Sequence, residues 1–433
     1  MSLKDRLNRL TGEGTQPLQE ASRQEVISEL RKKIDTIMTR RASYPQRTVT
    51  YQAKPVRTLL EAITGEEAAN GHGKCFFSRT VYHSESSHGC YRIADLAPAD
   101  MEAAAILAGH AGIGSMKMGD ALFLDTETTG LAGGTGTFAF LIGLGWFEGE
   151  DFVVCQLFAR DYHEEAAMLA LLREIAQDKR FLVTFNGRAF DITLLSARYI
   201  LNRLENPFID MPHLDLLFPS RRILGHRLEN SRLVTLESEV LNFVRTGDVP
   251  GFEIPRRYFD WLRSLDASLL EDVFEHNRLD IVSMAALVTH LSVLLTGGCD
   301  REDLHHADLL AAARLHLNQG SHDSGLDMLK YLMTSPDPLI ARDARVVTSL
   351  AHKRKGMWEQ AVSLWEEMLT RDPHDIFAAV ELAKWLEHRA YDYSRAVGIV
   401  TAVLSGSKAL SRDERESLVY RLARLKRKSG DGE

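Results

Sequence analysis

Two acids stand two apart in the segment LFLDTETTGL, residues 122–131. On a strand, Asp125 and Glu127 leave the same face, because strand side chains alternate. The three apolar residues before them, Leu122, Phe123 and Leu124, predict a buried central strand rather than an edge with two solvated acids. Paired carboxylates at the end of such a strand repel unless a cation lies between them. Hard divalent ions such as Mg²⁺ or Mn²⁺ accept this kind of oxygen ligand. A third acid, Asp191, lies in FNGRAFDITLL, residues 185–195, where Asn186, Phe190 and Asp191 form an NxxxFD pattern at a strand-to-helix junction. There it fits either a helix N-cap or a ligand. A fourth, Asp280, follows His276 by one helical turn in FEHNRLDIVSMAAL, residues 274–287, so the two share a helix face. Taken alone such a pair is most often structural, yet an Asp in an apolar helical stripe needs a partner.

Strands and helices must bring these segments together. ALFLDTE, FAFLIGLGWFE and DFVVCQLFA read as three successive strands, the last two joined by the turn EGED. A helix over HEEAAMLALLREIAQ follows, then the strand FLVTFNG, a helix over FDITLLSARYILNRLE, the short strand HLDLL, and a long helix from about 269 to 295. This order predicts an RNase H-like α/β domain, a mixed sheet flanked by helices, over 119–298. Asp215 in HLDLL reads as structural. Gly133, Gly134 and Gly136 lack the lysine of a phosphate loop and read as a tight turn that lets backbone approach the site. Arg188, Arg221, Arg222, Arg256 and Arg257 lie between the motifs and could line a nucleic-acid track, although each singly reads as a surface charge.

The flanking regions differ in character. Between Arg31 and Arg57 eight basic residues face one acid, Asp35, which is either a solvated helix and arm or a phosphate-binding arm. In 70–95, CFFSRTVY and CYRI read as a hairpin closed by ESSHG. His72, Cys75, His83, His88 and Cys90 crowd this stretch without the spacing of a zinc site, so a plain hairpin is expected. Residues 1–118 are therefore a basic helical arm plus a small β-hairpin region. Residues 299–433 are an all-α module and tail. Here Leu315, Leu350 and Trp385 recur 35 apart, as do Leu326, Ala361 and Ala396, then Leu329, Leu364 and Ile399, then Met333, Met368 and Val403. Columns with one period predict stacked helix pairs.

With 45% hydrophobic and 26% charged residues in 433, the composition is that of a globular chain and excludes fibrous and mostly disordered classes. The net charge of −8 excludes a chain basic throughout, though a local basic patch would still serve a nucleic-acid partner. Four unevenly spaced cysteines point to a reducing compartment. The opening MSLKDRLNRL has no apolar stretch, and the runs near 103–109 and 138–147 fall short of a membrane span, so a cytoplasmic chain without a membrane partner is expected.

In combination, DxE on the first strand, NxxxFD, and a His four before an Asp on the last helix resemble the DEDD 3′–5′ exonucleases of the DnaQ-like superfamily. LDTETTGLAGGTGTFAFLIGLG, VTFNGRAFDITLL, HLDLLFPSRRIL, GDVPGFEIPRRYFDWL and HNRLDIVSM look like the YprB-type ribonuclease H-like domain family over roughly residues 119–295. AHKRKGMWEQAVSLWEEMLTRDP is similar to a tetratricopeptide repeat. The resemblance implies a metal-dependent nuclease, a 3′–5′ exonuclease on single-stranded DNA or RNA ends. Asp125, Glu127, Asp191 and Asp280 would hold two Mg²⁺ or Mn²⁺ ions, and His276 would lie near the attacking water. The repeats would offer a surface to a protein partner. The histidine-type enzymes place His five before the last Asp and the tyrosine-type place Tyr four before. This chain has a histidine in the tyrosine register, with Glu275 one residue earlier, so either side chain could face the water. The rival readings are a non-catalytic nucleic-acid-binding scaffold and a protein-docking adaptor that uses the repeats.

Overall fold

The computed structural model describes residues 56–96, 100–130, 136–297, 301–406 and 410–430, all within the unit Val56–Glu433. The basic stretch before Arg57, and Gly133 and Gly134, lie outside the described residues.

After a one-turn helix α1 (Leu59–Ala62), the chain forms β1 (Glu66–Asn70) and β2 (Gly73–Tyr82). A two-stranded ribbon follows, β3 (Ser87–His88) with β4 (Tyr91–Arg92), then helix α2 (Met101–Ala108). The motif-bearing strands are β5 (Ala121–Thr128), β6 (Ala139–Glu148) and β7 (Asp151–Phe158). Gly149, at φ 66°, takes the first central position of the tight β6–β7 turn, a conformation costly for other residues. Next come α3 (Glu165–Ala176), β8 (Phe181–Thr184), α4 (Asp191–Leu201), β9 (His213–Asp215), α5 (Leu217–Ile223), α6 (Leu233–Glu239), α7 (Ile254–Ser264) and the 26-residue α8 (Glu271–Thr296).

One seven-stranded sheet runs β1-β2-β7-β6-β5-β8-β9. Pairing is antiparallel from β1 to β5 and parallel from β5 through β8 to β9. The mixed sheet with flanking helices is the expected RNase H-like architecture. The expected hairpin over 70–95 forms differently. The ten residues of β2 pair with β1 on one side and β7 on the other, while Tyr91–Arg92 pairs only with β3. Cys75 and Phe76, on opposite faces of β2, are both buried, so β2 gains its burial as an inner strand of the main sheet rather than through the nearest turn. His83 pairs with Asp151, His88 hydrogen-bonds Ser283 and Cys75 is in the core, so this group does not converge on a metal.

Alternation along β5 decides what each sheet face holds. Ala121 and Phe123 enter a core shared with α2 and α8, whereas Leu122 and Leu124 enter a second core with α3 and α7. Asp125 and Glu127 continue the Ala121–Phe123 row, toward α8. From Ile281 on, that helix is apolar on nearly every side because sheet and helices enclose it. It has the length and composition of a membrane span, but most of that stretch is buried within the fold.

An all-helical region follows: α9 (His306–Gln319), α10 (His322–Leu332), α11 (Pro338–Arg354), α12 (Trp358–Arg371), α13 (Ile376–Trp385), α14 (Tyr393–Gly406) and α15 (Arg412–Ser429). The 35-residue columns fall on α9, α11 and α13, and on α10, α12 and α14 with Met333 just past the end of α10; every one is buried or half-buried. The α2–α8 core continues without a break into Leu309, Leu315, Met328 and Leu332, and reaches Ala344 and Ala351 on α11. Helices α12 to α15 have a separate core around Trp365.

Candidate active site

Three elements meet at the C-terminal end of β5. Strand β5 carries Asp125 and Glu127, α4 begins with Asp191, and α8 carries His276 and Asp280 one turn apart. Asp191 is placed through Thr126, which lies between the two β5 acids, faces the other side, and donates its hydroxyl to the Asp191 carboxylate. The strand-to-helix turn before it is held by Asp215, which accepts from the backbone N–H groups of Asn186 (2.7 Å), Arg188 (3.1 Å) and Leu217 (3.2 Å). Asn186 sits at φ 65°, a left-handed conformation that Asn tolerates. Asp215 is thus structural, as its sequence position indicated.

A buried polar chain ties α8 to the sheet. Gln156 of β7 donates to the Asn277 side-chain oxygen (2.9 Å) and to the Phe274 carbonyl (2.8 Å). Asn277 in turn donates to Asp125 Oδ2 at 2.8 Å. Gly143 makes room for this, since it faces Asp125 across the β5–β6 ladder and a Cβ there would lie 2.3 Å from Asn277 Oδ1.

His276 Nε2 lies 3.8 Å from Glu127 Oε1 and 3.6 Å from Asp280 Oδ2, while its Nδ1 is 2.7 Å from Asp248 Oδ1. With its proton on Nδ1 the ring donates to Asp248 and turns the Nε2 lone pair toward the acids. Glu275 points elsewhere, exposed and paired with Arg278. Arg245 bonds Asp280 and fully buried Glu237 (2.6 Å), and reaches Asp248 at 3.5 Å. Burial opposes its charge, but Asp280 and Glu237 outweigh burial and hold its pKa above the ordinary value.

The acids are strained as a group. Burial first, then Asp280 and Asp191, push the Asp125 carboxyl well above the usual range, against the Asn277 hydrogen bond. Burial and the Asp125, Asp280, Asp191 and Asp248 charges do the same to Glu127. Burial pushes Asp191 up to about 6 despite the Thr126 hydrogen bond. Oxygen donors crowded until they resist ionisation fit hard divalent cations, whose charge would reverse that penalty.

Of the residues singled out in sequence, the structure brings Asp125, Glu127, Asp191, His276 and Asp280 to one place. Arg188 bonds the His213 carbonyl, Arg256 pairs with Asp260 and Arg257 with Asp272, while Arg221 and Arg222 are exposed on α5. Asp248, Arg245, Asn277 and Gln156 were missed. Asp248 and Asn277 lie inside quoted motifs, GDVPG and HNRLD; a lone acid between Gly247 and Val249 was a signal for Asp248, whereas Asn277, flanked by His276 and Arg278, carried none.

A family description for the RNase H superfamily matches residues 122–292, the span that holds all five residues. The chain is also 31% identical over 367 residues to the uncharacterized protein YprB of Bacillus subtilis (strain 168), an alignment that covers 82% of this chain and 86% of the relative. A superfamily match that starts on β5 and ends on α8, inside similarity over most of both chains to one relative, places this chain in the family of YprB, with an RNase H superfamily domain at residues 122–292.

Proposed function

We propose that the protein is a metal-dependent 3′–5′ exonuclease acting on single-stranded DNA or RNA ends. The observation that carries the proposal is the convergence of Asp125, Glu127, Asp191 and Asp280 from β5, α4 and α8, three of them pushed toward protonation by burial. These four would hold two Mg²⁺ or Mn²⁺ ions. Ions there would supply an activated water and offset the charge that develops as the phosphodiester breaks.

The chain's own residues set the rest. Asp248 orients His276 so that Nε2 can accept a proton beside Glu127 and Asp280. Asn277 and Thr126 fix the rotamers of Asp125 and Asp191. The Arg245–Glu237 pair holds Asp280 from behind. The helical region is tetratricopeptide-like in its period and would add a binding surface.

The test is incubation with 3′- and 5′-labelled DNA and RNA oligonucleotides with Mg²⁺, Mn²⁺ or EDTA. A ladder that shortens from the 3′ end, disappears in EDTA and is lost in Asp125→Asn is expected. Cleavage that survives EDTA, or more than about a tenth of the rate in Asp125→Asn, would overturn the assignment, because loss of ion stabilisation costs several kcal/mol and a tenfold loss is only about 1.4.

A further inference from the structure

Away from the acids, helices α11, α12, α13 and α15 enclose a cavity of about 380 Å³. Lys353, Lys384, Arg389, Arg421 and Arg424 line it, and Glu381 is the one acid among its lining residues. Charge there does not balance. Glu381 meets Lys353 and Lys384 at 2.5 and 2.6 Å. Fully buried Glu387 beneath meets Arg421 at 3.2 Å, Lys428 at 2.9 Å and Arg424. Arg389 stands 4.4 Å over the Trp358 ring and pairs with no carboxylate among the described residues. Six cations thus share two carboxylates, in a chain whose net charge is −8. Burial and the Arg424 charge hold the Arg421 pKa below its ordinary value, as expected where like charges crowd.

Two donors at the same cavity have no acceptor. The Trp365 indole N–H and the Arg424 Nε–H are buried and unbonded, and Trp365 is 0% exposed. A buried donor left unsatisfied is costly and rare in native folds, so paired orphans beside surplus positive charge call for an anionic acceptor. Trp358 and Trp385, both half-buried, line the same cavity, with Arg389 over the Trp358 ring. Indole faces beside guanidinium groups suit a chain that alternates phosphate with flat bases, whereas an acidic peptide would use the cations and leave the rings idle.

We propose that this cavity is a phosphate-binding exosite that holds a single-stranded nucleic acid away from the catalytic acids. The choice of a polynucleotide rests on the nuclease reading; the anion site rests on the cavity alone.

The experiment uses the full chain carrying Asp125→Asn, so that the strand stays intact, and a fluorescein-labelled oligodeoxythymidylate read by anisotropy across a salt series. Arg389→Ala with Lys384→Ala, one exposed and one half-exposed, should weaken binding tenfold or more. It should also flatten the salt slope by about 1.4, at roughly 0.7 per lost phosphate contact. Three of the five tryptophans line the cavity, so the oligonucleotide should quench intrinsic fluorescence and the double variant should lose that quench. Arg389→Glu, at an exposed position, repeats the test should the double variant melt early. Unchanged affinity, slope and quench in a variant that melts like the parent would overturn the exosite. So would polyglutamate displacing the strand where unlabelled oligonucleotide does not, since the site would then be one for acidic peptide. Cleavage of a thymidine monophosphate p-nitrophenyl ester, too small to span both sites, is followed separately with Asp125 restored. Its absence in the otherwise unaltered protein would strike the nuclease reading alone.

Discussion

At the scale of single residues, the site is a set of carboxylates held against their own repulsion. Asp125 and Glu127 have raised pKa values, so the native state binds protons more tightly than the unfolded chain does. The stability from such a group is fully present below the unfolded value and is lost as pH rises through the folded one. The metal-free protein therefore bears the penalty at neutral pH. Asp125→Asn removes one repelling charge and can still accept the Asn277 hydrogen bond. Without metal it should melt a few degrees above the parent at pH 7.5, with the gap closing toward pH 4; a gap that widens on acidification would contradict the sign. The register question falls at the same scale. His276 faces Glu127 and Asp280, while Glu275 is turned to Arg278. His276→Ala should lower turnover about 10² to 10⁴-fold with metal affinity nearly kept, and Glu275→Gln should stay close to the parent. A crippled Glu275→Gln beside an active His276→Ala would move the proton acceptor back one residue. The acids were legible because each motif carries its own acid next to an apolar run. Asp248 and Arg245 were not, since their meaning comes from α8, some thirty residues on, which no local pattern reveals.

At the scale of elements, the sheet and helix α8 must lie close enough for Asn277 to touch Asp125. Glycines of β6 set that distance. A Cβ on Gly143 would meet Asn277 at 2.3 Å, and one on Gly145 would meet Ile281 Cγ2 at 2.4 Å. Overpacking of this kind typically costs about 1–3 kcal/mol. Gly143→Ala and Gly145→Ala should therefore destabilise by similar amounts, as read by denaturant titration. Only Gly143→Ala presses on the Gln156–Asn277–Asp125 chain, so it should weaken Mn²⁺ binding several-fold more than Gly145→Ala does. Equal loss in both would make Asn277 a packing residue with no part in the site. Alternation and turn residues made β5, β6 and β7 readable, because their pairing is local. The partner of β2 was not readable: β7 lies more than seventy residues away, and the turn-like ESSHG offered a nearer mate that buries less.

At the scale of the whole molecule, the question is where the nuclease fold ends. The composition change near residue 298 divides sheet-bearing from all-helical sequence, yet the apolar core crosses it. Leu287, Leu291 and Leu294 of α8 share one cluster with Leu309, Leu315, Met328 and Leu332. Polar ties cross as well: Arg227 meets buried Asp308 at 2.9 Å, and His316 bonds the Leu295 carbonyl at 2.8 Å. Each fully buried Leu or Met is worth about 1.5–3 kcal/mol, while a domain's net stability is only about 5–15. A chain cut after Gly297 would leave α8 with a bare apolar flank, and a handful of exposed leucines is enough to cancel the whole net stability. A chain cut after Gly356 keeps Ala344 and Ala351 and ends at a residue already at φ 74°, giving up only the separate Trp365 core. The shorter cut should give aggregated or unfolded protein. The longer cut should melt cooperatively and cleave short substrates at a rate near the full chain's, while binding long single strands less tightly because the cavity that α12, α13 and α15 form with α11 is gone. If the chain ending at Gly297 is instead monomeric, cooperative and active, the shared core contributes little, and the helices after α8 are a separate folding unit that merely rests on the nuclease.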